Sequence, residues 1–243
     1  MAELFSWERF LENIPKIVPY LAVTFSVVLY ATVFGILLGM LIAFIKIKRI
    51  PVLNQIFMVY VSFMRGTPML VQLMLIYYGL PVLIDSFFGT NINREWNKII
   101  FAYITFILNQ GAFLSAIFYS AVTSIPVGQL DAGYSVGLSG FQTFRRILLP
   151  QAVRIALPPF GSDLVGVFHN SSLVFLIGVT DIMGRAKTIG TATKHVIEAY
   201  AFVAVIYISI SLLLRIIFYL ANHKLEYGRG RISGVSKTER RKV

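Results

Sequence analysis

Long apolar stretches alternate with short polar segments along most of the chain. The stretches are mostly continuous runs of apolar residues and not alternating ones, and each reaches the roughly 20 residues that a helix needs to cross a bilayer. Continuous runs favour helices over a transmembrane barrel, because a helix satisfies its own backbone hydrogen bonds in lipid. The pattern therefore predicts an all-α integral membrane protein, with one transmembrane domain over residues 1–221 and about five spans at 19–45, 57–84, 99–120, 151–179 and 199–220.

Two of the predicted spans carry residues that are unusual within lipid. The second is interrupted by four consecutive residues, Arg65, Gly66, Thr67 and Pro68. Because proline disfavours helical geometry at the preceding residue and removes a backbone donor, we expect a structural break there. The fourth span is the most polar of the five, with Pro158, Pro159, Asp163, His169 and Asn170 along its course.

Composition supports a lipid environment and shows how the chain is oriented. Of the 243 residues, 57% are hydrophobic and 14% are charged, with a formal net charge of +11. The basic residues lie mainly in short loops and in the tail. The positive-inside rule of membrane proteins explains this distribution more simply than nucleic-acid binding does. Lys46, Lys48 and Arg49 place the first loop on the cytoplasmic side, so the prediction is a plasma-membrane protein with its amino terminus outside and a basic cytoplasmic tail at 222–243.

Two further features of the sequence limit the chemistry of the chain. It contains no cysteine, which excludes disulfides, thiol catalysis and cysteine-ligated metals. Acidic residues precede the first apolar run, which is too long for the core of a signal peptide, so we interpret that run as a retained span.

The segment between the third and fourth spans, residues 124–149, has the pattern of a helix-turn-helix. Residues 129–136 predict one short helix, Gly137 suits a left-handed turn, and Ser139 with Gln142 matches a capping box that begins a second helix. Such a hairpin on the cytoplasmic side could present a compact surface to a soluble partner. It could equally cap the helical bundle, and the periodicity leaves both interpretations open.

Several motifs in this part of the chain resemble one protein family. Asp131-Ala132-Gly133, then Gly137, then Ile147-Leu148-Leu149-Pro150 is similar to the EAA loop of prokaryotic ABC importer permeases, with Asp in place of Glu and Gly in place of the second Ala. Residues 65–72 (RGTPMLVQ) resemble the R-G-T-P-x-L-V-Q block of the polar amino-acid branch, and further matches at 149–159 and 171–179 extend the resemblance over roughly residues 60–185.

The resemblance implies a division of labour between subunits. The chain would be a permease that pairs with a second, identical or related half, receives its amino acid from an extracellular binding protein, and couples to a cytoplasmic dimer of ATP-binding subunits. ATP and Mg²⁺ would bind to that separate ATPase, and we expect no catalytic residue, cofactor or metal in this chain, which contains no G-x-x-x-x-G-K-[ST] sequence. The residues expected to couple to the ATPase are Asp131, Ala132, Gly133, Gly137, Ile147, Leu149 and Pro150.

Polar residues inside the spans are candidates for the substrate pathway. Asp163, Gly166 and Asn170 recur at helical spacing, and a carboxylate within lipid requires a partner or water. The hypothesis is that residues around a break in the fourth span line the pathway together with two polar residues of the third span. The alternative is hydrogen bonding between packed helices. The candidates are Asn109, Gln110, Asp163, His169, Asn170, Ser171 and Ser172.

Two departures from the family pattern bear on the cargo. The block A-Y-x-x-E-x-x-R corresponds to residues 112–119 (AFLSAIFY), which lack both charges, and K-D-T-S-L appears as residues 169–173 (HNSSL). Fewer fixed charges favour a zwitterionic cargo over a basic one, and cystine is one candidate. The alternative function is a secondary amino-acid transporter driven by an ion gradient, in which Asp163 or His169 would carry protons.

Overall fold

The structure, a computed structural model, describes residues 5–89 and 96–227, which form helices and no strand. Five stretches of this part are long and apolar enough to cross a membrane, judged by length and composition. The predicted all-α fold with five spans is therefore confirmed. The stretches are Trp7–Lys48, Met69–Phe88, Lys98–Thr123, Gly140–Ile177 and Val196–Lys224.

The α-helices are numbered in chain order. Short 3-10 segments follow α1 and α9, and short π-helical segments follow α4 and α8, so several neighbouring helices join into longer rods. The helices are α1 (Trp7–Ile17), α2 (Leu21–Lys48), α3 (Leu53–Gly66), α4 (Met69–Met74), α5 (Leu80–Phe88), α6 (Lys98–Thr123), α7 (Gly128–Ser135), α8 (Gly140–Thr143), α9 (Leu149–Asn170), α10 (Ile182–Thr193) and α11 (Val196–Tyr227).

Helices α2 and α6 form the central pair, and glycines allow them to approach closely. A Cβ on Gly35 would lie 2.7 Å from Cγ of Gln110, and one on Gly39 would lie 2.9 Å from Cβ of Leu114. Small residues are the usual means of close helix packing in membranes, where the hydrophobic effect does not drive helices together. Since residue 35 faces residue 110 and residue 39 faces residue 114, the two helices run parallel and end at the same end of the bundle.

Helices α9 and α11 run antiparallel. A Cβ on Gly161 would lie 2.6 Å from Cγ of Phe218, and Nε2 of His169 lies 2.7 Å from Oγ of Ser211. The start of α9 therefore lies beside the end of α11, at the same end of the bundle as the ends of α2 and α6.

This shared end, which we call the basic end, collects many of the cations that the sequence distributes over separate loops. They are Lys46, Lys48 and Arg49 after the first span, Arg145, Arg146 and Arg154 around the start of α9, and Lys224 at the end of α11. The opposite end carries five of the eight acidic residues within the described ranges, namely Glu8, Glu12, Asp85, Asp181 and Glu198.

At the opposite end, α1 packs against α10 and α11. Their shared apolar cluster includes Ile17, Ile182 and Phe202. The carboxylate of Glu198, which is 1% exposed, accepts a hydrogen bond of 3.1 Å from the backbone N–H of Ser6. Helix α1 is not among the predicted spans, because its apolar residues occupy one face of the helix and do not form a long continuous run.

Helix α10 begins with a buried cap. Oδ1 of Asp181 accepts a hydrogen bond of 2.8 Å from the N–H of Gly184, and the side chain is fully buried. Burial disfavours the charged form and raises the pKa of Asp181 to about 6.

Three boundaries differ from the sequence-based expectation. The region 57–84, expected as one interrupted span, forms separate helices, and the apolar stretch long enough to cross a membrane is Met69–Phe88. The fourth stretch begins at Gly140, inside the segment expected to be a loop, because α8 continues through a π segment into α9. Helix α11 extends to Tyr227, into the predicted tail, whose remainder at 228–243 lies outside the described residues.

Candidate coupling hairpin and polar sites within the bundle

The hairpin between the third and fourth spans begins with α7, which ends in a Schellman motif. The N–H of Leu138 donates to the carbonyl of Gly133 at 3.1 Å, and the N–H of Gly137 donates to the carbonyl of Tyr134 at 2.9 Å. Gly137 has φ of +79°, a conformation that costs other L-residues energy but not glycine. The predicted left-handed turn at Gly137 is confirmed.

The second arm begins at Ser139, and the predicted capping box is confirmed. Oγ of Ser139 accepts from the N–H of Gln142 at 3.3 Å, while Oε1 of Gln142 accepts from the N–H of Ser139 at 2.9 Å. This arm is continuous with α9 through the π-helical segment Phe144–Leu148.

The two arms touch at Gly133. A Cβ there would lie 2.8 Å from Cγ2 of Thr143 and 3.1 Å from Cδ1 of Ile147, so only glycine allows this approach. The other residues proposed for coupling surround this contact. Asp131, Ala132, Gly137, Leu149 and Pro150 are exposed, and Ile147 is half-buried.

The tip of the hairpin carries an exposed apolar surface that the motif comparison did not single out. Val136 and Phe141, on either side of the turn, are 74% and 72% exposed. Tyr134, in the last turn of α7, is 54% exposed. An apolar patch of this kind, clustered at the end of a bundle, is typical of a protein contact surface. We refer to Tyr134, Val136 and Phe141 as the tip patch.

The interruption at residues 65–68 is organised by Gln72. Helix α3 ends at Gly66 and α4 begins at Met69, with Thr67 extended between them. The Nε2 group of Gln72, a 1% exposed residue, donates to the carbonyl of Met64 at 2.8 Å and to Oγ1 of Thr67 at 2.8 Å. The side chain thereby supplies a donor to the carbonyl of Met64, which the break leaves without a helical partner because Pro68 has no N–H.

Asn109 and Gln110 form hydrogen bonds to two different helices. Nδ2 of Asn109 donates to Oε1 of Gln72 at 2.8 Å and connects α6 to the break. Nε2 of Gln110 donates to Oδ2 of Asp163 and connects α6 to α9. Asp163 thus has the partner that a carboxylate within lipid requires, and this partner is a neutral amide.

His169 and Ser172 line a cavity between α9 and α11. The cavity has a volume of about 380 Å³, and its wall combines polar and aromatic groups with aliphatic ones: His169, Ser172, Met183, Tyr200, Val203, Ala204 and Tyr207. The His169 ring is positioned by its hydrogen bond to Ser211. Because this contact joins α9 to α11, it fixes the orientation of the ring across the helix interface.

The expected break at residues 169–172 differs in form from the hypothesis. Helix α9 does not unwind there but tightens into a 3-10 helix over Ser171–Ile177. Oγ of Ser172 donates to the carbonyl of His169 at 2.8 Å, and Oγ of Ser171 donates to the carbonyl of Phe168 at 2.6 Å. Both hydroxyls are therefore engaged with backbone carbonyls of the preceding turn.

The structure consequently divides the predicted pathway residues into separate groups. His169 and Ser172 share the cavity beside α11. Asn109 instead pairs with Gln72, and Gln110 pairs with Asp163, and none of these residues lines that cavity. Asn170 is exposed at the end of α9.

The described part of the chain, with five candidate spans and a helical hairpin between the third and fourth of them, is that of a multi-pass membrane protein. The chain belongs to the family described as "Binding-protein-dependent transport system inner membrane component", which it matches over residues 35–227. The predicted resemblance to permease subunits of polar amino-acid ABC importers is confirmed.

Individual relatives support this assignment. The chain is 35% identical to the L-cystine transport system permease protein TcyL of Bacillus subtilis (strain 168) over 96% of both chains. It is 30% identical to the glutamine transport system permease protein GlnP of Escherichia coli (strain K12), over 88% of this chain and 94% of that one. A solved structure described as an amino acid ABC transporter with histidines superimposes with a TM-score of 0.79 at 26% identity, covering 90% of this chain and 99% of that chain.

Several residues at these sites were not identified from the sequence. Gln72 was noted only as part of a motif, and Ser211, Tyr200 and Tyr207 lie in or near a strongly apolar span. Ser211 had a usable signal, since a polar residue within lipid favours an interhelical hydrogen bond. The two tyrosines gave no such signal, because tyrosine is also enriched at membrane–water interfaces, where it need not line a binding cavity.

Proposed function

We propose that the chain is the permease subunit of an ATP-driven importer that moves a polar or neutral amino acid across the plasma membrane. It would assemble with a second permease half, a cytoplasmic dimer of ATP-binding subunits and an extracellular binding protein. ATP and Mg²⁺ would bind to the separate ATPase, and this chain would contribute the pathway and the mechanical connection.

The observation that carries this proposal is the exposed tip patch on a hairpin that continues into a span. The patch offers a soluble subunit an apolar surface, and the capping box and Schellman motif hold it in one shape. Since the second arm is continuous with α9, a partner that moves the tip would tilt the helix that bears His169. This is the arrangement needed to convert movement of an ATPase into movement of a pathway.

The charge distribution supports the orientation. The basic end contains the hairpin, and positive residues in short loops favour the cytoplasmic side. With this end inside, the hairpin faces the ATPase, α11 ends in the cytoplasm and α1 lies outside.

The cavity beside α11 supports a cargo of low net charge. It offers one imidazole, hydroxyl groups and aromatic faces, and no carboxylate or guanidinium lines it. Such a wall suits a zwitterionic amino acid better than a strongly basic one. The similarity to cystine and glutamine permeases makes those two amino acids the first cargoes to test.

The function is tested by uptake into proteoliposomes that contain this chain together with the ATP-binding subunit and the binding protein that copurify with it. We expect accumulation of labelled L-cystine or L-glutamine to require ATP inside the vesicles and to persist when proton and sodium gradients are collapsed. Uptake that continues without ATP and stops when the gradients collapse would instead establish the gradient-driven transporter.

Substitution of His169 by alanine tests the pathway. We expect uptake to fall by about tenfold, or cargo preference to change, because a positioned hydrogen-bonding group is lost from the cavity. Ser211→Ala should have a smaller effect in the same direction, since it releases the ring without removing it. The measurement is the concentration dependence of ATP-driven uptake.

Ser209→Ala is the matched control. Ser209 lies on α11, as Ser211 does, but it is exposed and does not line the cavity. If His169→Ala and Ser209→Ala gave equal uptake of every cargo tested, the assignment of His169 to the pathway would be wrong. Assembly with the ATPase is measured in parallel and should be unchanged in all three variants.

A further inference from the structure

A second cavity lies between α2, α3 and α6 near the basic end, away from the cavity that holds His169. Its volume is about 290 Å³, just below the range of drug-sized ligand sites, roughly 300 to 1,000 Å³, and sufficient for a small group. The polar and charged residues of its wall are Lys46, Asn54, Ser62, Arg65 and Ser115, and the apolar ones are Ile42, Phe57, Met58 and Val61.

Two cations line this cavity, and neither has a described carboxylate partner. Among residues 5–89 and 96–224, the ion pairs are those of Arg9 with Glu198 and Lys16 with Glu12. Lys46 and Arg65 instead contact aromatic rings: Nζ of Lys46 lies 4.2 Å from the centre of the Tyr119 ring, and Cζ of Arg65 lies 5.6 Å from that of Phe113. These contacts orient the cations without neutralising them.

The depth of the cavity favours a ligand from the membrane boundary. Lys46 is in the last turn of α2, two residues before the first apolar stretch ends at Lys48. Arg65 lies beside Phe113, six residues or about 9 Å along α6 from Tyr119. The cavity therefore extends from the end of the span toward its interior, with Ile42 and Phe57 as apolar wall and cations at two depths.

We propose that this cavity binds a phosphate group, with Lys46 and Arg65 as its charged contacts and Ser62 and Asn54 as neutral hydrogen-bond donors. Arginine matches phosphate geometry with its planar fork, and lysine acts as a compact point charge. Basic pockets between membrane helices are a recognised form of phospholipid headgroup site. The phosphate belongs either to an anionic lipid, whose glycerol would contact the apolar wall, or to a free anion.

The lipid source is tested on the full-length chain, with the subunits that copurify with it, by native mass spectrometry after exchange into equal amounts of phosphatidylglycerol and phosphatidylcholine. These lipids share the phosphodiester, but choline cancels its charge. We expect preferential retention of phosphatidylglycerol, reduced by about tenfold in the variant with Lys46→Gln and Arg65→Gln, because charge-assisted hydrogen bonds are lost. Lys46→Gln alone should give a smaller reduction.

The matched control carries Lys48→Gln and Arg154→Gln. It removes two exposed cations from the same end of the bundle, and neither residue lines the cavity. Equal retention of phosphatidylglycerol by the two double variants would overturn the proposal, provided that both elute as the folded complex in gel filtration.

The free-anion source is tested on lipid-depleted protein in detergent. An increase in Tm on addition of inorganic phosphate, present in the wild type and absent in the Lys46→Gln/Arg65→Gln variant, would identify free phosphate as the ligand. Selective lipid retention without that increase would identify the lipid. Displacement of the bound lipid by L-glutamine or L-cystine would overturn the proposal, because the cavity would then belong to the transport pathway.

Discussion

Replacement of Gly133 by leucine is expected to abolish most ATP-driven uptake, by tenfold or more, while the chain remains in the membrane at wild-type levels. The new side chain would overlap Thr143 and Ile147, because even its Cβ would lie 2.8 Å from Cγ2 of Thr143. The arms must separate, and the tip patch then no longer has its fixed shape. Helix propensity is not the cause, since leucine is favoured over glycine by about 1 kcal/mol within a helix.

The matched control is Gly128→Leu at the start of the same helix, where nothing lies within 4 Å of a Cβ. We expect it to transport normally. Because the overlap is with Thr143, Gly133→Ala combined with Thr143→Ala should recover part of the uptake that Gly133→Ala loses. Uptake and ATPase copurification in Gly133→Leu that match Gly128→Leu would contradict a coupling role for the contact between the arms.

Replacement of Gly35 by leucine is expected to have the largest effect on folding. Its Cβ would lie 2.7 Å from Cγ of Gln110, which is 1% exposed and donates to Asp163. The substitution would force α2 away from α6 and displace the partner of a carboxylate within the bundle. Overpacking and an unpaired intramembrane carboxylate each cost about 3 kcal/mol, so we expect a low yield of monodisperse protein and a markedly lower Tm.

Gly79→Leu provides the comparison, since Gly79 lies within another membrane stretch and a Cβ there would meet no atom within 4 Å. Its yield and Tm should remain near those of the wild type. If the two leucine variants were equally stable in detergent, close packing of α2 on α6 would not be required for the fold.

These two glycines show how one residue type serves different purposes in this protein. Gly133 lets two short arms touch in the hairpin, and Gly35 lets two spans approach inside lipid. Gly137 has a third purpose, because its positive φ is required by the Schellman motif and not by space: nothing lies within 4 Å of a Cβ there. Substitution at Gly137 would therefore act through backbone strain.

The hairpin was largely predictable because its signals are local. The capping box joins Ser139 to Gln142, three residues apart, and the Schellman motif spans six residues, so both are encoded in short stretches of sequence. What the local pattern could not indicate is that the second arm continues into the fourth span. Pro150 usually indicates a helix boundary. Here it directly follows the π-helical segment Phe144–Leu148, and the helix continues through it.

The polar sites within the bundle were less predictable because their partners are distant in sequence. Asp163 pairs with Gln110 across 53 positions, and His169 pairs with Ser211 across 42. The sequence marks each residue as unusual in lipid, and so it identified most of the candidates. It contains no information on which helices face one another, so it grouped residues that the structure separates.

The sequence by itself determined that this chain is helical and lies in a membrane, how many spans it has, and which family it resembles. Those properties follow from apolar run lengths and local motifs, which depend on neighbouring residues alone. Only the tertiary structure decided that His169 faces a cavity with Tyr207, that Asp163 is bound by an amide, and that Lys46 and Arg65 share a cavity. These outcomes depend on the register of packed helices, which is set by close contacts such as Gly35 on Gln110 and by no periodicity within one helix.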